Sequence, residues 1–173
     1  MYMRLVLLIL LIGPTLRTVA DDTPTSTDDR LTVELFVTAP QVKHPTGLAI
    51  DKQGRVYVIE SHTHFRPDGY VGPNGDKIYS FANPDAKGLA TERITFAEGF
   101  DMGMDLLMGK DGWLYVAERS RISRLRDTDG DLRADEKQRL IDLQTTGKYP
   151  HNGLSGLCFD AHGNLYFGLG ENL

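Results

Sequence analysis

The sequence predicts an all-β chain, a β-propeller of four-stranded blades present as an incomplete ring of about two and a half blades. Three observations predict it. Three segments, GLAIDKQGRVYVIES from Gly47, DLLMGKDGWLYVAER from Asp105 and the last 15 residues of HNGLSGLCFDAHGNLYFGLG at residues 151–170, align without a gap. In that register Leu48, Leu106 and Leu157 coincide, as do Ile50, Met108 and Phe159, and Tyr57, Tyr115 and Tyr166. The turn glycines Gly54, Gly112 and Gly163 recur at intervals of 58 and 51 residues, close to one propeller blade with loop insertions.

The physics of one copy explains why it repeats. Apolar residues alternate on both sides of a polar turn closed by glycine, so a β-hairpin can bury one face while Gly supplies the positive φ of the turn. One hairpin cannot bury that face alone. Stacking several around an axis does so, as would a solenoid, whereas a sandwich of unrelated hairpins does not repeat a turn signature.

Residues 1–20 read as an export signal. Met1 to Arg4 carries positive charge, Leu5 to Leu16 is apolar except at Gly13 and Pro14, and Thr18, Val19 and Ala20 offer small residues for cleavage after Ala20. The apolar run is about 12 residues against the roughly 20 of a membrane span. A secreted or periplasmic chain without a stable membrane span is therefore expected. A retained anchor is the competing reading, which Pro14 weakens.

Residues 21–30 are rich in Asp, Thr and Ser and should form a flexible tether. Residues 31–173 are then the partial propeller. Leu31 to Pro40 alternates β-branched and aromatic residues as a strand does, and suits the outer strand of a last blade. Blade one, about 45–98, has strands near 47–51 and 55–60, a long insertion from Ser61 to Gly75, then KIYSFA and ERITFAE. Blade two, about 103–144, runs DLLMG, WLYVAE, RISRLR and KQRLIDL, and blade three begins over 151–173 with GLSGLCF and NLYFGLG. Because the smallest propellers have about four blades, the expectation is a piece of a longer frame, or a chain that associates with whatever completes the ring.

The formal net charge of −5 and the lack of any Lys/Arg run argue against a nucleic-acid partner. Cys158, the single cysteine, occupies the place of Ala49 and Leu107 and is expected in the core. It cannot form an internal disulfide, and no C-x-x-C-H is present to attach haem.

Three constellations could carry chemistry. In DTDGDLRADE, Asp127, Asp129, Asp131 and Asp135 place carboxylates at the spacing with which a curled loop surrounds a hard cation such as Ca²⁺. Against an EF-hand loop, Leu132 replaces Gly and Gln138 replaces the bidentate Glu, so a solvated acidic turn is the alternative. In SHTHFRPDGY, His62 and His64 fall on one side of an extended segment. They could line a pocket mouth or, with Glu60, His44 or His151 brought near by the ring, share a metal ion. His151, at the head of the third copy, lies where blade-leading loops converge and could act as a base, a polar anchor or a plain loop histidine.

WLYVAERSRISRL followed by HNGLSGLCF resembles the first and second blades of the soluble quinoprotein glucose and aldose sugar dehydrogenases, six-bladed propellers that use pyrroloquinoline quinone (PQQ) and Ca²⁺. Residues 45–173 resemble still more closely the N-terminal part of secreted bacterial proteins described as membrane-bound dehydrogenases. The resemblance implies a sugar or alcohol substrate and, in the complete protein, PQQ. It implies cofactor contacts at His151, Asn152 and Arg119, and a base at His151 in one register. In the gap-free register the base, the cofactor clamps and the family's calcium ligands lie in blades this chain does not contain, and the chain alone is expected to be inactive. The rival reading is a propeller that holds a ligand or glycan without catalysis.

Overall fold

The structure, a computed structural model, describes residues 3–7, 24–64, 66–82, 84 and 88–171. The described residues contain strands and one turn of 3-10 helix, Pro150–Asn152, and no α-helix. Strands β3 (Pro45–Ile50), β4 (Val56–Glu60), β5 (Asp76–Ala82) and β6 (Glu92–Phe100) form one antiparallel four-stranded sheet in sequential order. A second comprises β7 (Gly103–Met108), β8 (Leu114–Glu118), β9 (Arg121–Arg126) and β10 (Glu136–Asp142), and a third holds β11 (Leu154–Phe159) and β12 (Leu165–Leu169). These are two four-stranded blades and the first hairpin of another.

The repeat tyrosines explain themselves in this frame. Tyr57, Tyr115 and Tyr166 stand at the same register of β4, β8 and β12, and each donates its hydroxyl to the aspartate of its own hairpin turn: Asp51 at 3.3 Å, Asp111 at 2.9 Å and Asp160 at 3.4 Å. Gly54, Gly112 and Gly163 close those turns at φ of 82°, 80° and 87°, a region only glycine occupies freely.

Packing between blades follows the alternation of side chains along each strand. Tyr57 and Ile59 turn toward blade two and meet Leu106, Leu114 and Val116, with Phe96 and Phe100 closing the cluster. Tyr115 and Ala117 make the equivalent layer with Leu154 and Leu157 of blade three. On the other side of blade one, Val56, Val58, Tyr79 and Phe81 are covered by Phe36, Val37 and Val42. The same repeat position therefore differs in exposure by its place in the row. Tyr57 and Tyr115 are 2% and 7% exposed, and Tyr166, whose outer side meets no further blade among the described residues, is 55% exposed.

Two expectations change. Cys158 is exposed instead of in the core, because it stands on the same open side of blade three as Tyr166. The strand expected over 31–40 is β2 (Leu31–Leu35), which pairs in parallel with β1 (Met3–Leu7), while Phe36 and Val37 leave it to cover blade one. Of the segment read as an export signal, only Met3–Leu7 lies among the described residues. No helix among the described residues is long and apolar enough to cross a membrane.

Candidate functional site

Alternating strand direction sorts the connections onto two faces. The segment before β3, the β4–β5 insertion, the β6–β7 link, the β8–β9 turn and the 3-10 turn before β11 emerge together on what we call the upper face. The β3–β4, β7–β8, β9–β10 and β11–β12 turns emerge on the lower one. With β3 lying against β7 and β7 against β11, the segments that lead into these three strands run along one edge of the upper face.

Buried carboxylates hold that face together. Glu60 Oε1 accepts the Lys43 N–H at 2.6 Å, and Glu118 Oε1 accepts the Asp101 N–H at 2.9 Å, the same contact made one blade later. The fully buried Asp76 accepts from the His62 N–H at 2.5 Å and the Thr63 hydroxyl at 2.9 Å through one oxygen, and from the Gly103 N–H at 2.7 Å through the other. Thr63 Oγ1 accepts in turn from the Met102 N–H at 2.6 Å. The insertion of blade one is thereby tied to the loop leading into blade two.

On this frame the structure brings the predicted histidines together. His62 sits between the Tyr70 hydroxyl, 2.7 Å from Nδ1, and Glu60 Oε2, 3.1 Å from Nε2. His64 reaches across to the loop before blade three, its Nε2 3.3 Å from His151 Nε2 with the rings edge-to-face. Burial, and then the neighbouring His151, lower the His64 pKa, so the His64 imidazole is neutral at pH 7. His151 itself is exposed and stands beside the Tyr149 ring. Asn152 packs against Gly170, which has no side chain to obstruct it.

Arg119 also lies on the upper face but is engaged. Its guanidinium donates to the Gly147 carbonyl at 2.9 Å and to Asp101 at 3.2 Å. Beside the imidazoles and carboxylates around the histidines, Arg66 of the insertion donates to the His62 and Asn74 carbonyls, and Arg119 bridges two loops. PQQ carries three carboxylates and calls for cations that are not so engaged. No redox step is derived through it.

The Asp127 loop is on the lower face, far along the blade from the histidines. Carboxylate oxygens of Asp127, Asp129 and Asp135 come within 4.8 Å of one another. Asp131 is directed to the Arg133 N–H instead. Each of the three is also used within the loop: Asp127 accepts from the Gly130 and Leu132 N–H groups, Asp129 from that of Asp131, and Asp135 from the Thr128 N–H and hydroxyl. Those hydrogen bonds hold Asp135 below the usual carboxylate range. The loop's backbone and Arg133 then bond to Ser80, Thr95 and Phe96 of blade one, so it clasps two blades. A cleft of about 180 Å³ beside it, lined by Lys52, Tyr57, Lys110 and Arg126, opens on this same lower face.

Glu118 and Asp76 were not singled out by sequence, and Glu60 only as a possible partner of the histidines in holding a metal ion. The two glutamates had a signal, since VYVIE and LYVAE end on them at the same repeat position. Asp76 has none, because blade two begins its third strand with Arg121. Burial raises the Glu118 pKa, against the pull of the Asp101 N–H, and its Oε2 has no hydrogen-bond partner. A carboxyl whose folded pKa is raised stabilises most when protonated, and that contribution is lost as pH rises through the folded value. Glu118→Gln keeps an acceptor for Asp101 and removes the charge, so its Tm should match the parent at pH 4 and exceed it at pH 8.

The fold is that of a β-propeller. The sequence matches the DUF7133 family, a domain of unknown function, over residues 25–173, and the chain belongs to that family. A search of curated proteins gives no match. Among solved structures, a gluconolactonase from Xanthomonas campestris is similar at 20% identity and a TM-score of 0.51, over 75% of this chain and 36% of that one. An oxidoreductase from Thermus thermophilus described as a glucose dehydrogenase gives 21% identity and a TM-score of 0.47, over 72% and 38% of the two chains. The PQQ-bound aldose sugar dehydrogenase from Streptomyces coelicolor gives 13% and 0.40, over 59% and 31%. The chain spans about a third of the length of these proteins.

Proposed function

We propose that this chain supplies the opening blades of an exported, sugar-handling propeller, and that it meets a small sugar or alcohol on the upper face beside His64 and His151. The observation that carries the reading is the convergence of the blade-one insertion on the loop leading into blade three, which brings two imidazoles 87 positions apart to 3.3 Å. Imidazoles and carboxylates at the mouth of such a ring are the groups that recognise hydroxyls. His151 acts there as a polar anchor and not as a base, because its Nε2 is turned to another imidazole. Export is supported by the apolar run Leu5 to Leu16 and the small residues at Thr18 to Ala20.

A second reading, a propeller that holds a glycan without oxidising it, is favoured by Arg119, whose two terminal guanidinium nitrogens are given to the Gly147 carbonyl and Asp101. The test is titration of the chain with glucose, gluconolactone and glycerol in metal-free buffer, following the imidazole signals in NMR spectra. Saturable shifts at His64 and His151, abolished by His151→Ala, are expected; unmoved imidazoles throughout would remove the reading. Dye reduction with added PQQ and Ca²⁺ should show no turnover by this chain.

A further inference from the structure

We infer that His64 and His151 form a binding site for a d-block divalent cation, Zn²⁺ being the ion that suits it, at the junction of the blade-one insertion and the loop before blade three. The inference rests on the reading of the upper face as a ligand site and names the ion that would serve it.

The geometry comes first. Two imidazole nitrogens bound at about 2.0–2.1 Å to one tetrahedral ion lie about 3.3–3.4 Å apart. The two Nε2 atoms lie 3.3 Å apart before any ion is added. Without a metal this contact can be at best one N–H···N hydrogen bond, since each neutral ring has a single proton to place.

Both donors are held in advance. His64 follows His62 and Thr63, whose backbone and hydroxyl are fastened to the buried Asp76. His151 precedes Leu154, whose N–H is bound to the Arg119 carbonyl at 3.1 Å, and lies in a 3-10 turn closed by the Asn152 N–H on the Tyr149 carbonyl. The ordering that a flexible His pair would undergo on binding is therefore already done.

The chemistry of the surroundings agrees. His62 is not a competing donor, because both its ring nitrogens are held by Tyr70 and Glu60. Among the described residues no third His, Cys, Asp or Glu joins the pair; the one group of three is the acidic loop on the opposite face. The exposed side of His151 leaves the remaining positions to water or to the hydroxyls of a sugar. That is the open arrangement of an ion that binds substrate, in contrast to a closed structural site.

The experiment is calorimetric titration of the purified chain with Zn²⁺ at pH 7.5 without sugar, together with the visible spectrum of the Co²⁺-loaded protein. One ion per chain and a Co²⁺ spectrum of imidazole ligation are expected. His64→Ala and His151→Ala should each weaken binding by about tenfold or more. His162→Ala, an exposed histidine on the lower face, and Asp129→Ala should leave it unchanged. Because His151 is exposed, its replacement leaves the fold intact, and matching circular dichroism checks this. Absence of Zn²⁺ binding, or binding that survives both histidine replacements, overturns the inference. The sugar titration is done in metal-free buffer, so failure of one reading is told apart from failure of the other.

Discussion

Replacing Asp76 with alanine should cost about 3–5 kcal/mol in chemical denaturation, the scale on which one partner of a buried charged network is lost. Three donors, the His62 and Gly103 N–H groups and the Thr63 hydroxyl, would lose their acceptor inside a fully buried site. Water cannot replace it there without opening the junction. Hydrogen exchange should accelerate first at His62 and Gly103, and Zn²⁺ affinity should fall with it, since His64 is placed through this anchor. Asp76→Asn should fall between, because one oxygen still accepts from His62 and Thr63 while the new amide nitrogen faces the Gly103 N–H. An alanine variant as stable as the parent would mean that the insertion is held by something other than this carboxylate.

Gly153→Val should cost about 3 kcal/mol, the upper part of the range for forcing volume into a packed junction. A Cβ at Gly153 would lie 2.6 Å from both the Cα and the carbonyl oxygen of Arg119, and backbone atoms cannot swing aside. The blades must separate, breaking the Leu154 N–H bond to the Arg119 carbonyl and carrying His151 away from His64. Thermal unfolding gives the first effect and Zn²⁺ titration the second. Gly163→Ala is the control, because a Cβ there meets nothing within 4 Å and only the positive φ of 87° is penalised, at about 1 kcal/mol.

Periodicity made the blades legible because each hairpin buries the same face against the same kind of neighbour. The second strands read as 55–60 and 113–118 are β4 at Val56–Glu60 and β8 at Leu114–Glu118, where alternation is strongest. Alternation alone misplaced Phe36 and Val37, since an apolar segment laid across a sheet face reads like a strand within one. Cys158 was misplaced for a related reason: repeat position predicts burial only where a neighbouring blade is present.

The site was legible in part. Sequence put His62, His64 and His151 forward and required the ring to bring them near; the structure joins His64 to His151 and turns His62 to Glu60 and Tyr70. Asp76 could not be found from sequence, because a carboxylate that accepts backbone N–H groups from two distant loops leaves no periodic trace. The acidic loop was conspicuous in sequence for its charge, yet its carboxylates largely fold their own turn.

The central claim is that the three hairpins are successive sectors of one wheel, and pulsed electron resonance distances between spin labels test it most directly. Lys52, Lys110 and Ala161 are exposed, occupy the same position of the three lower turns, and can be labelled in pairs once Cys158 is replaced by serine. Rotation about one axis predicts equal distances for 52–110 and 110–161, with 52–161 clearly shorter than their sum. Unequal neighbouring distances, or a 52–161 distance equal to that sum as in a straight stack, would contradict it.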